Sequence, residues 1–365
     1  MIGTETGLQG SVGWPETART PKTERLQTDG VKGAAATRRA AELLRAGGTV
    51  AFPTETVYGL GANALNAAAV AKIFAAKNRP GWDPLIVHVE GRAMLDRVAM
   101  VTPELKREAE ELMLAFWPGP LTLLLPRRPE IPVAVTAGRT LVGVRMPKHP
   151  IAREVIRLAG VPVAAPSANR FGRTSPTTAA HVLQDLDGRI DAVLDGGPAT
   201  VGLESTVYDV AARAIYRPGA VSAEMISEAI GVEVQLVTAM PEPESSFGGA
   251  APSPGMGMRH YAPQAQLKLV AGQRAFAEEI AKHAGAEHAG AEVGVMLPDG
   301  WNPAGAAAVF RWGPWSEADT LARLLYLGLR FLDERGVKVI VCPVPEMGGI
   351  GEALRDRLTK AAQKE

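Results

Sequence analysis

The sequence holds one cysteine in 365 residues, Cys342, which excludes an internal disulfide and any Cys-rich zinc site. A lone thiol suits a reducing compartment, so a cytoplasmic location is expected, with Cys342 as a small buried side chain in a strand from Val337 to Cys342. Net charge is missing too, because 39 Lys and Arg balance 39 Asp and Glu. Without a global field no stable nucleic-acid binding is expected, and any contact with a polyanion must be local. No apolar run reaches the ~18 residues that a spanning helix needs, so no membrane association is expected. Residues 1–30 are polar and read as a flexible extension, without the apolar run of a signal peptide or anchor. Familiar catalytic signatures are absent as well. There is no glycine-rich phosphate loop ending in Lys-Ser or Lys-Thr, no His-Glu-x-x-His pair and no Gly-x-Ser-x-Gly elbow. No protein metal site is expected.

What is present is an intermixed series of helices and strands, which sets the class as α/β. Ala34 to Ala46 is helical and ends at Gly47-Gly48; Asn66 caps a second helix with Val70, Ile73 and Phe74 on its apolar stripe. Thr102-Pro103-Glu104 opens a third. Strands are expected at Thr49 to Phe52, Leu121 to Leu125, Leu141 to Met146, Val161 to Pro166, Ala192 to Leu194 and Val207 to Val210. The length exceeds a usual single core, so two domains are expected. The composition turns to Pro, Gly, Ser and Ala over 238–264, a linker, which leaves a first domain at 31–237 and a smaller, Rossmann-like βαβ domain at 265–365.

One stretch organises the first domain: Lys77-Asn78-Arg79-Pro80-Gly81-Trp82-Asp83-Pro84-Leu85-Ile86-Val87-His88-Val89. Lys77 and Arg79 serve one ligand only if the helix stops here, which Pro80 and Gly81 favour. Alternation in the following strand turns His88 away from the larger apolar set. Further polar clusters stand at strand ends and turns: Thr54 and Thr56, Arg145, Ser167 and Asn169, Ser175, Ser205 and Thr206, and Arg217. Each alone is commonplace, since Ser and Thr cap, Asn turns and Arg sits on surfaces. Together, at successive strand ends, they point to a crevice for a phosphorylated or carboxylated ligand. Gly349-Ile350-Gly351-Glu352-Ala353 looks like half a dinucleotide fingerprint, yet tight strand-to-helix packing explains its glycines better.

Gly47 to Gly61, the Lys-x-Arg-Pro to Pro-Leu-Ile-Val-His-Val stretch, Trp117-Pro118-Gly119-Pro120-Leu121-Thr122, Pro166-Ser167-Ala168-Asn169 and Ser205-Thr206-Val207 closely resemble the motifs of YrdC-like threonylcarbamoyl-AMP synthases, in order and spacing. The likeness covers Ala34 to about Glu228, and Arg259-His260-Tyr261-Ala262-Pro263 with the βαβ tail resembles the long, two-domain branch. It implies a twisted mixed sheet around a concave basic cavity. The implied reaction makes L-threonylcarbamoyl-adenylate and pyrophosphate from L-threonine, bicarbonate and ATP. A downstream transferase complex then places the group on tRNA position 37.

By the same resemblance, Thr56, His88, Arg145, Ala165 and Ser205 hold threonine, with Arg145 on its carboxylate. Lys77, Arg79, Asp83, Ser167, Asn169, Ser175, Arg217 and Tyr261 hold ATP. Lys77 and Arg79 are the catalytic cations, Tyr261 closes over the nucleotide, and Mg2+ arrives on the triphosphate. The sequence departs from the pattern at Asp83, where Asn is usual, at Leu141, where a hydroxyl is common, and at Met256-Gly257-Met258, which replaces a basic and aromatic run. Two other readings stay open: a carbamoyltransferase of the same superfamily, and an RNA-binding module.

Overall fold

The computed structural model describes residues 22–30, 33–237, 260–284, 293–303 and 305–363. Its larger unit is built on eleven strands: β1 (Glu24–Gln27), β2 (Val50–Phe52), β3 (Gly59–Asn63), β4 (Ile86–His88), β5 (Leu121–Pro126), β6 (Leu141–Arg145), β7 (Val163–Ala164), β8 (Ala192–Asp195), β9 (Thr206–Asp209), β10 (Ala214–Arg217) and β11 (Gln235–Leu236). They form one mixed sheet in the order β1-β8-β2-β3-β7-β4-β6-β5-β9-β10-β11. The centre, where the site lies, is β7-β4-β6-β5-β9; β4 runs antiparallel to β7 and parallel to β6.

Alternation along β4 decides what faces the site. Leu85, Val87 and Val89 enter the main core, while Ile86 packs with Leu124 and Val207 on the other face, where His88 also lies. The main core is closed by the helices Ala67–Lys77, Pro103–Phe116, Ala179–Leu186 and Ala223–Ile230, which bury Val70, Ile73, Leu112, Val182 and Ile226. Each such side chain contributes about 1.5–3 kcal/mol by leaving water. Leu141 joins the Ile86 cluster as an apolar packing residue.

Local signals place most helix ends. Asn66 Oδ1 accepts from the Ala68 and Ala69 N–H groups at 3.0 and 3.1 Å. Thr102 stands at its expected cap position, but its side chain makes no cap bond. The helix carrying Lys77 stops before Pro80. Asn78 adopts the left-handed conformation (φ 52°), and the Arg79 N–H donates to Phe74 O at 3.0 Å. This closure satisfies the last carbonyls without glycine, because Asn tolerates that region.

One segment of the larger unit differs from the sequence reading. Within the extension expected over 1–30, Glu24–Gln27 is an edge strand paired in parallel with β8, and Leu26 is buried there. A four-residue strand with one covered apolar side chain leaves no alternation to read. Residues 1–21 lie outside the described residues, as do 238–259 of the expected linker, Met256-Gly257-Met258 included.

The smaller unit contains β12 (Gln266–Val270), β13 (Val293–Pro298), β14 (Ala308–Gly313) and β15 (Val339–Pro343), all parallel, in the order β12-β15-β13-β14. Its helices are Gly272–Ala284, Ala318–Glu334 and Ile350–Ala362. The sequence reading missed β14, an edge strand whose Trp312 is fully buried. Cys342 lies buried in β15, as expected. At Gly351 a Cβ would stand 2.3 Å from Glu346 O, which accounts for that glycine by close packing. No helix among the described residues is long and apolar enough to cross a membrane.

The two units share one apolar cluster. Val57 and Leu203 of the larger unit pack with Leu321, Leu325 and Tyr326 of the smaller. Gly202 is the tightest point: its φ is 83°, and a Cβ there would lie 2.5 Å from Arg323 Cα.

Candidate active site

The concave face of the central strands opens into a cavity with about 530 Å³ of empty space, its mouth included. One wall belongs to the sheet. Register sets His88 of β4 directly opposite Arg145 of β6. The Ala165 N–H donates to Ile86 O at 2.9 Å, which brings the backbone after β7 to the same wall. Ser205, just before β9, shares a 2.8 Å hydrogen bond with Thr122 of β5. Thr56 comes from the loop between β2 and β3, where its hydroxyl meets that of Thr54 at 2.8 Å.

Arg145 is held from three sides. It donates to Thr56 Oγ1 at 2.9 Å, to Gly119 O at 3.1 Å and to Glu55 Oε1 at 2.6 Å. The other Glu55 oxygen accepts the Lys148 N–H at 2.9 Å. Burial works to raise the Glu55 carboxyl, but the Arg145 charge and its bonds hold it below the usual range. His88 responds in the opposite sense. Burial and the Arg145 cation push its imidazole down to about 3, so it is neutral, and its Nδ1 has no hydrogen-bond partner among the described residues. A neutral imidazole beside a guanidinium offers one polar atom to a ligand without competing for its charge.

The other wall joins a helix end, two turns and the last residue of β10. Arg79 leaves the helix end and donates to Asp83 O at 3.2 Å and Pro84 O at 2.8 Å, and it pairs with the Asp83 carboxylate at 2.8 Å. Ser167, Arg217 and Tyr261 line the cavity beside it. Arg217 donates to Ser205 O at 3.1 Å and to Ser205 Oγ at 3.2 Å. Tyr261 has a left-handed backbone (φ 63°), uncommon for an aromatic residue, and burial raises its hydroxyl above the usual range. The next residue, Ala262, is tied to the Gly172 carbonyl at 2.9 Å.

Nine of the thirteen expected site residues therefore line one cavity: Thr56, Arg79, His88, Arg145, Ala165, Ser167, Ser205, Arg217 and Tyr261. The other four stand one layer behind. Lys77, almost wholly buried, gives its ammonium to the carbonyls of Ser167 and Asn169. Burial, reinforced by Arg79, holds that ammonium well below its usual pKa. Asp83 backs Arg79, the Asn169 amide closes the turn onto Arg170 O and Arg173 O, and the Ser175 hydroxyl goes to Glu204 at 2.5 Å.

Sequence reasoning missed Glu55, Glu204 and His260. Glu55 sits between two threonines already singled out, and Glu204 immediately precedes Ser205, so position alone could have flagged both. His260 lines the cavity with neither ring nitrogen hydrogen-bonded among the described residues. Burial and the surrounding cations keep it neutral. Among the described residues no group of three or more His, Cys, Asp or Glu side chains is placed to hold a metal. Three guanidiniums, neutral imidazoles and hydroxyls make a site for a ligand with more than one anionic group.

Comparison with known proteins agrees. Residues 42–219 match the Sua5, YciO and YrdC family model described as "Telomere recombination", and residues 221–363 match the threonylcarbamoyl-AMP synthase C-terminal domain. The threonylcarbamoyl-AMP synthase of Pyrococcus abyssi is 42% identical over 332 residues, covering 89% of this chain and 93% of that protein. Its counterpart in Bacillus subtilis is 43% identical over 333 residues, covering 89% and 92%. The crystal structure of P. abyssi Sua5 complexed with L-threonine superposes with a TM-score of 0.83 at 40% identity, over 93% of this chain and 97% of that one. With both of its domains matched and its relatives aligned over nearly their whole length, this chain belongs to the threonylcarbamoyl-AMP synthase family, the enzymes that make threonylcarbamoyl-adenylate.

Proposed function

We propose that L-threonine occupies the sheet wall and ATP the turn wall of this one cavity, with bicarbonate joining them. The threonine amine attacks the bicarbonate carbon and water leaves, giving a carbamate. A carbamate oxygen then attacks the α-phosphorus of ATP and pyrophosphate departs. The nucleophile belongs to the substrate, so the protein's task is positioning and charge stabilisation rather than activation of a side chain.

Arg145 receives the threonine carboxylate, and Thr56, His88, Ser205 and the backbone at Ala165 hold the rest of the amino acid. Arg79 and Arg217 meet the phosphates, with Ser167 beside them and Tyr261 over the nucleotide. Lys77 supplies a further cation by exchanging the carbonyls of Ser167 and Asn169 for phosphate oxygens. The incoming polyanion favours its charged form, which burial alone disfavours. Asp83, Asn169 and Ser175 set the positions of Arg79, the Ser167 turn and Glu204. Mg2+ arrives with the triphosphate, whose oxygens are its natural ligands. The product is a mixed anhydride, suited to a cytoplasmic transferase complex that passes the threonylcarbamoyl group to adenosine at tRNA position 37.

The observation that carries this reading is the pairing of His88 with Arg145 on adjacent strands, in one cavity with Arg79 and Arg217. Pyrophosphate release by the purified protein tests it. Release is expected only when ATP, L-threonine and bicarbonate are all present. Release that needs carbamoyl phosphate, and is indifferent to threonine, would replace it with the carbamoyltransfer reading.

A further inference from the structure

The smaller unit reaches the nucleotide side of the cavity through one buried carboxylate. Glu204 Oε1 accepts from Ser175 at 2.5 Å and from the Tyr326 hydroxyl at 3.2 Å; Oε2 accepts from Tyr326 at 3.0 Å and from Arg357 Nε at 2.8 Å. Tyr326 belongs to the helix Ala318–Glu334 and Arg357 to the helix Ile350–Ala362. Arg357 is fully buried, and its Nη2 donates to the carbonyl of Pro218, next to Arg217, at 2.9 Å. Its guanidinium also stands 5.0 Å from the centre of the Tyr261 ring, and that ring lies 6.0 Å from the Tyr326 ring. Gly202 makes an independent contact of the same kind. Its backbone touches the helix Ala318–Glu334 with no room for a Cβ, so the segment that carries Glu204 and Ser205 is seated on the smaller unit.

A buried carboxylate needs a counter-charge; Arg357 pairs with Glu204 at 2.8 Å, and Arg217, bonded to the neighbouring Ser205, lines the same cavity as Glu204 and also favours its charged form. Arg357 takes it. Arg217 instead donates along the cavity wall to Ser205. We propose that Arg357 and Tyr326 are positioning residues for the nucleotide: by occupying Glu204 they keep Arg217 turned to the triphosphate and seat Tyr261, so the ATP half of the site is complete only while the smaller unit is docked. The identity of the ligand rests on the proposed reaction; the side-chain network does not.

Steady-state pyrophosphate release by the full chain tests the inference. Arg357→Met is expected to raise KM for ATP by about tenfold or more, because the orphaned Glu204 draws Arg217 away, while KM for L-threonine stays within about twofold. Adding Glu204→Gln to that variant removes the orphaned charge and is expected to restore most of the ATP affinity, a rescue that a purely structural role would not produce. Tyr326→Phe, which removes one donor without changing shape, is expected to raise KM for ATP by about two- to fivefold, and it decides the matter if Arg357→Met does not fold. Unchanged KM for ATP in the variants, or equal losses for both substrates with no rescue, overturns the proposal. If the wild-type chain released no pyrophosphate, the reaction would fall, and ATP titration by calorimetry across the same variants would still decide the positioning role.

Discussion

On the sheet wall of the cavity, Arg145 and His88 stand opposite each other on hydrogen-bonded strands, and Arg145 is pinned by Glu55, Thr56 and Gly119. On the turn wall, Arg79, Ser167 and Tyr261 ride on a helix end, a turn and the end of the linker, joined by side-chain bonds and by the smaller unit. The ladder that holds the first wall is continuous with the core, so it opens only when the sheet does. The second wall combines backbone pairing, at Ser167 with Gly59 and at Arg217 with Val207, with side-chain bonds at Arg79 and ring contacts to the smaller unit at Tyr261. In the proposed assignment, the amino acid is met by side chains on the sheet and the triphosphate by cations at a helix end and a strand end.

Four changes test that division, from the largest expected effect downward. Arg145→Ala should cut kcat/KM by roughly a hundredfold to a thousandfold, the cost of removing a charged partner of the substrate, while ATP affinity measured by calorimetry stays close to wild type. Loss of ATP binding in that variant would show the walls to be one coupled unit. Glu55→Gln keeps the shape but leaves the Arg145 cation without its buried partner. A stability loss of about 3 kcal/mol is expected in urea titrations, and added threonine should recover part of it by supplying a carboxylate.

The third test is pH. His88 and His181 are each held at about 3 by burial and a nearby arginine, Arg145 and Arg330 respectively, against an ordinary value of 6.5. The unfolded chain therefore takes up protons that the native chain refuses. The contribution of these two histidines to stability is level above pH 6.5 and falls as the pH drops towards 3, with a limiting slope of about 1.4 kcal/mol per pH unit for each histidine. Melting temperatures between pH 6.5 and 5 should show the decline, and His88→Asn with His181→Asn should reduce it, the remainder coming from His260 and His149, which burial also holds below the ordinary value. The smallest effect is expected from Asp83→Asn. The Asp83 and Pro84 carbonyls still aim Arg79 in that variant, but its charge is no longer offset by a carboxylate. KM for ATP should fall by a few-fold with threonine unaffected, while stability drops because a buried guanidinium loses its counter-charge.

Much of this was legible along the chain. The Asn66 cap, the alternation through His88 and the hydroxyl-rich turns each follow from local chemistry, and nine of the thirteen expected residues share one cavity. Legibility ended where a signal was too short or too distant. The strand Glu24–Gln27 has a single buried apolar residue and shows no period, whereas β14 does alternate, with Ala308, Phe310 and Trp312 on one face and Val309 on the other, and went unread at its sheet edge. Lys77 was expected at the cavity surface and stands behind it, because periodicity says where a helix points its side chains but not which carbonyls will be waiting there.

By itself the sequence determined the local choices: which faces are apolar, where helices begin and end, and which short motifs place hydroxyls and cations at strand ends. Those depend on neighbours within a few residues. Only the tertiary structure decided which charge meets which. Arg145 pairs with Glu55 ninety residues away, and Arg357 with Glu204 across 153 residues and between two units. A buried ion pair depends on geometry in three dimensions, and no spacing along the chain encodes it.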